Sequence, residues 1–66
     1  MLRSDDFGVG DVIIDTKKQC SAEIIGVLEP GKNNVSRTIY ILEDSDFNLY
    51  IQDDDHVIEY NKDFFD

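Results

Sequence analysis

Residues 47 to 52, FNLYIQ, place Phe47, Leu49 and Ile51 in strict alternation with Asn48, Tyr50 and Gln52. A period of two is the repeat of an extended strand, whose side chains point to opposite faces in turn, and a helix cannot gather it into one stripe. The stretch therefore commits the chain to a half-buried strand, and the spacing predicts that Phe47, Leu49 and Ile51 form its core face. The rest of the sequence continues the theme. Residues 11 to 15 (DVIID) are a short apolar run after Gly8 and Gly10. Residues 20 to 28 (CSAEIIGVL) set Ala22, Ile24, Gly26 and Leu28 on one face against Glu23, Ile25 and Val27 on the other, with a bend expected at Gly26. Residues 35 to 42 (VSRTIYIL) are rich in β-branched and aromatic side chains.

Turn formers separate these runs. The loop TKKQ follows the first. EPGKNN, residues 29 to 34, combines a proline that presets one dihedral with glycine and asparagines that tolerate positive φ, so the chain should reverse there. EDSD is expected to turn the chain into FNLYIQ. The triplet Asp53 to Asp55 then interrupts the alternation before Val57, Ile58 and Tyr60 resume it, as a turn into a fifth short strand would.

At 66 residues the chain has room for one core, and a single small domain over residues 1–66 is expected, with flexible ends at about 1–6 and 61–66. A domain this small buries only about 60% of the surface its unfolded chain exposes, which favours an exposed binding face over a deep catalytic cleft. No catalytic centre is expected. The lone Cys20 has no partner for an intrachain disulfide, so the core must suffice or another subunit must help. No apolar run approaches the roughly 18 residues of a membrane span, and the N-terminus lacks a basic-then-apolar signal pattern, so a cytoplasmic protein is expected.

Charge is distributed unevenly. The net charge is −9, with six carboxylates against five basic residues up to position 40, but nine carboxylates against Lys62 alone beyond it. Such a field repels nucleic-acid phosphates and anionic membranes and attracts basic protein surfaces. An acidic surface also keeps a small protein soluble, and composition does not separate the two roles.

Several chemistries can be tested on the residues themselves. DSDFNLYIQDDD, residues 44 to 55, can be laid on an EF-hand loop with Asp44, Asp46 and Asn48 at ligand positions. It fails physically: Leu49 stands where glycine permits the sharp turn, Asp55 stands where a longer glutamate reaches the ion, and strands flank it. His56 beside three aspartates has no second histidine to build a transition-metal site, and Cys20, on another strand, lacks a nucleophile motif. GVG, residues 8 to 10, has neither the lysine nor the helix of a phosphate loop. Neither a metal nor a cofactor is expected.

The succession FGVGDVI, a polar loop, AEIIGV, a turn, TIYIL, an acidic turn, FNLYIQ and HVIEY resembles the SH3-like small barrels, including Tudor-like and KOW-like domains and small prophage-encoded relatives, over residues 7 to 60. Gly10-Asp11 before the first strand and Asp53 to His56 before the last occupy places where such barrels carry similar features. The resemblance implies an all-β fold, a single SH3-like barrel of four to five short antiparallel strands, and a tendency to bind proteins. It carries over neither the aromatic cage of Tudor-like domains nor the basic surface of KOW-like ones.

The expected function is that of an acidic protein-binding module, similar to phage or mobile-element accessory proteins that inhibit or adapt a basic, nucleic-acid-handling host protein. Glu43, Asp44, Asp46, Asp53, Asp54, Asp55 and Glu59 are the expected contact carboxylates, with Tyr50 and Tyr60 as anchors. The alternative is a structural or homo-oligomeric component joined through Phe64 and Phe65, which are too apolar for a merely solvated tail.

Overall fold

A computed structural model describes residues 7–65, with the side chain of Phe65 excepted. The expected end at 1–6 and the final Asp66 lie outside the described residues. Five strands form one antiparallel sheet: β1 (Val12–Asp15), β2 (Cys20–Leu28), β3 (Ile39–Glu43), β4 (Leu49–Asp53) and β5 (Val57–Glu59). Their order across the sheet is β4-β3-β2-β1-β5. Neighbours along the chain are neighbours in the sheet until β5, which returns to the free side of β1 by way of a 3-10 turn at Asp54–His56. A second 3-10 turn, Lys62–Phe65, follows.

The all-β expectation holds, and a short element does precede the last strand. The sheet, however, is not closed. β4 and β5 share no ladder among the described residues, so both are edges. The third strand also starts later than its composition suggested, at Ile39, because the chain bends at Ser36 and Arg37 ahead of it.

The core is the concave face. Ile13, Ala22, Ile24, Tyr40, Leu42 and Val57 form one buried cluster, with Phe7, Val27 and Tyr50 packed against it. In β2 the pairing with β3 shifts between Ile24 and Gly26, a bulge at the expected bend. The extra residue changes the parity, so Val27 rather than Gly26 or Leu28 joins Ile24 on the core side, opposite Tyr40. Glycine gives Ile41 room there: a Cβ at Gly26 would lie 2.9 Å from Ile41 Cδ1, which would have to move aside.

β4 overturns the plainest expectation. Phe47, Leu49 and Ile51 are 81%, 63% and 62% exposed, while Tyr50 and Gln52 face the core. Two causes, one local and one distant in the chain, set this register. The turn between β3 and β4 spans residues 44 to 48 and takes in Phe47, which adopts φ 65°. Asp44 locks the turn, its Oδ1 accepting from the amides of Asp46 and Asn48 at 2.9 Å each. The second cause is a buried carboxylate on β1 that needs donors, which Tyr50 and Gln52 supply.

Candidate functional site

Asp15 closes β1 and is fully buried. Its Oδ1 accepts from the amides of Lys17 and Lys18 at 2.9 and 3.0 Å, which folds the TKKQ loop back on the strand. Its Oδ2 accepts from the Tyr50 hydroxyl at 2.9 Å and from Gln52 Nε2 at 3.2 Å. Burial alone would push the Asp15 carboxyl up, but the hydrogen bonds from Lys18, Gln52, Tyr50 and Lys17 outweigh it and hold the group below its ordinary value. Burial and the adjacent carboxylate drive the Tyr50 hydroxyl well above its own. Lys18 Nζ lies 3.8 Å from the centre of the Tyr50 ring, and Cys20 Sγ is 3.9 Å from the hydroxyl. This network is saturated and faces inward, and its chemistry is that of a structural clamp.

The acidic triplet has a different geometry. Arg37 reaches all three aspartates: Nη2 to Asp55 at 2.5 Å, Nε to Asp54 at 3.3 Å and Nη1 to Asp53 at 3.8 Å. His56 Nδ1 lies 2.6 Å from Asp53 Oδ1, and that contact, with Arg37 beyond it, holds Asp53 below the usual carboxylate value. The carboxylates that dominate the sequence are thus already engaged by a cation from the loop before β3. Arg37 was among the residues that sequence reasoning missed. Its separation of 18 positions from Asp55 gives no local signal, and only the route of the loop brings the two together.

The other expected contact residues divide between faces. Asp44 is spent on its turn, where the Asn48 amide leads the interactions that lower its carboxyl. Asp46 is exposed beside it, and Glu59 and Tyr60 are exposed at the β5 end. Tyr50 points to the core side, opposite to the outward-facing residues of its own strand. Phe64 is 40% exposed, and the side chain of Phe65 lies outside the described residues.

The convex face carries what the sequence did not place there. The registers form three cross-strand rows: Glu23 opposite Glu43 opposite Leu49; Gly26 opposite Ile41 opposite Ile51; and Leu28 opposite Ile39 opposite Asp53. An apolar row is therefore flanked on one side by two glutamates set directly across from each other. Like charges in that position repel, and among the described residues no cation pairs with either. A cavity of about 240 Å³ opens beside them, lined by Val12, Glu23, Glu43, Asp44 and Phe47 among others.

No family model, curated protein or solved structure matches the chain. The site must be read from its own chemistry. Among the described residues no group of His, Cys, Asp and Glu side chains could hold a metal ion, and no helix is long and apolar enough to cross a membrane. The convex face offers exposed apolar side chains beside unneutralised carboxylates, which suits the aliphatic stem and charged head of lysine or arginine.

Proposed function

We propose that the protein is an acidic, non-catalytic binding module that docks on a basic protein surface through the convex face of β2, β3 and β4. The observation that carries this reading is the exposed pair Leu49 and Ile51 lying alongside Glu23 and Glu43, whose mutual repulsion a partner's cation would relieve. The reading shifts the contact surface from the triplet Asp53 to Asp55, which Arg37 occupies, to the turn and strands around Glu43. Strand order β4-β3-β2-β1-β5 with a 3-10 turn before β5 supports an SH3-like arrangement, in which strands curl around one small core and leave the outer face for recognition. The sign of the charge favours a basic partner, and the proposed role is that of an accessory factor that inhibits or adapts a nucleic-acid-handling protein.

The test is capture from a cell lysate at low and high salt, comparing the natural chain with the double variant Glu23→Lys, Glu43→Lys, followed by titration of the purified partner. A basic protein retained by the natural chain, released by salt and bound at least about tenfold more weakly by the variant is the expected result. Equal retention by the variant, or no retained protein at all, overturns the reading. In that event the exposed Phe64 favours association between copies, which sedimentation of the natural chain and of Phe64→Ser would reveal.

A further inference from the structure

The hydrogen-bond directions along β4 specify how a partner can bind. Asp44 N donates to Asn48 O at 3.1 Å, and Asp54 N donates to Thr38 O at 3.1 Å. Main-chain groups of even-numbered residues from 48 to 54 therefore point toward β3, because the direction alternates along an antiparallel strand and no bulge interrupts the β3–β4 pairing. By the same alternation, the N–H and C=O groups of Leu49 and Ile51 point away from the sheet, at the edge where no further strand lies among the described residues. Those two residues also have the exposed side chains. An edge with free main-chain groups and an apolar outward face is a template for another strand.

We propose that the open edge of β4 takes an extended segment of the partner as an added strand, carrying an apolar side chain beside Ile51 and Lys or Arg beside Leu49 and Asp53. The inference rests on the convex face being a protein-binding surface, and it names the chemistry of the occupant. An added strand extends each of the three rows by one position. In the row of Gly26, Ile41 and Ile51 the new neighbour meets only apolar surface. In the row of Glu23, Glu43 and Leu49 a long cationic side chain lies back over Leu49 toward the unpaired glutamates. In the third row it meets Asp53. The added strand runs antiparallel to β4, as every pairing in this sheet does, so the main-chain groups of its apolar residue face those of Ile51 in the pattern basic, any, apolar, any, basic. A second copy of this chain fits poorly as the occupant: it brings a net charge of −9, and its own β4 offers Leu49 and Asp53 where the rows call for cations.

The experiment is a titration of the isotope-labelled full chain with an acetylated, amidated peptide, Thr-Lys-Thr-Ile-Thr-Lys-Thr, against the same peptide with its central isoleucine N-methylated. The N-methyl group keeps charge and side chain but removes the main-chain donor that would face Ile51. Expected are slowed hydrogen exchange at the Leu49 and Ile51 amides and affinity at least about tenfold weaker for the N-methyl peptide. A variant with Ile51→Thr, which keeps strand propensity, should bind more weakly while its dispersed amide spectrum shows an intact fold. Equal binding of the two peptides would overturn the added strand and leave carboxylate-mediated docking standing. Absence of peptide binding, when the lysate capture does yield a glutamate-dependent basic partner, would likewise overturn the added strand alone. Concentration-dependent protection of Leu49 and Ile51 without peptide would give the edge to a second copy and overturn the proposal.

Discussion

The Tyr50 hydroxyl donates to the buried carboxylate of Asp15 across 2.9 Å, although their strands, β4 and β1, are separated in the sheet by β3 and β2. A flat sheet would hold strands three positions apart at about 14 Å. The bond is therefore direct evidence of strong curl: the concave faces of β1 and β4 meet over the core even though no ladder joins β4 to β5. It also turns the apolar residues of β4 outward, so one hydrogen bond shapes both the core and the proposed docking face.

Replacing Tyr50 by Phe should destabilise the fold by about 1.5–3 kcal/mol, the range for a hydrogen bond to a charged group, since a buried carboxylate loses one of its donors. Urea unfolding midpoints of the two chains measure this. A shift too small to resolve would mean that water or another donor replaces the hydroxyl.

Asp15, the one fully buried carboxylate among the described residues, should contribute to acid sensitivity. Its folded-state value lies below the ordinary 3.8, so its stabilisation is complete above that value and is lost as pH falls toward and through the lower folded one. Asp15→Asn should be less stable than the natural chain at neutral pH, and the difference should shrink once pH drops below about 3.8. Unfolding midpoints for both chains at neutral pH, at pH near 4 and well below it provide the comparison. A difference that stays constant over that range would show that Asp15 does not stabilise the fold as a carboxylate.

These two residues also mark the limit of what the sequence conveys. Strands, turns and the bend at Gly26 were legible, because period two and turn chemistry are local properties. The face of β4 was not. Alternation shows that two faces exist, and the rule that apolar residues turn inward assigns them only when no stronger demand competes. Here the competing demand comes from Asp15, at 35 positions from Tyr50 in the chain. A carboxylate ending an apolar run was visible, but nothing local marked it as buried. The surroundings of the acidic triplet were hidden for a similar reason: its density of charge was plain, but its contacts with Arg37, a single cation against three carboxylates, depended on the path of a loop. Glu23 and Glu43 lie 20 positions apart, and only the register of β2 with β3 makes them a pair.

Arg37→Ala tests the loop's part. Three adjacent aspartates would lose their cation, so the variant should melt at a lower temperature than the natural chain in low salt, with the gap narrowing as added salt screens the repulsion. Thermal unfolding at both salt concentrations measures it. A gap independent of salt would indicate that Arg37 contributes through packing of its stem.

Phe47 separates stability from function most directly. It holds φ at 65°, a region that disfavours residues with a bulky side chain by about 1–2 kcal/mol, and its ring is 81% exposed. Neither property benefits the fold. Asparagine adopts that conformation readily, so Phe47→Asn should raise stability by about 0.5–1 kcal/mol. If the ring serves the cavity it shares with Glu23 and Glu43, the same variant should bind the partner more weakly. Stability gained together with affinity lost is the expected result, read from urea midpoints and a titration with the captured partner. Strain held at an exposed aromatic residue is intelligible when something outside the chain contacts it. Unchanged affinity would remove Phe47 from the contact surface and confine that surface to the rows of Glu43 and Ile51.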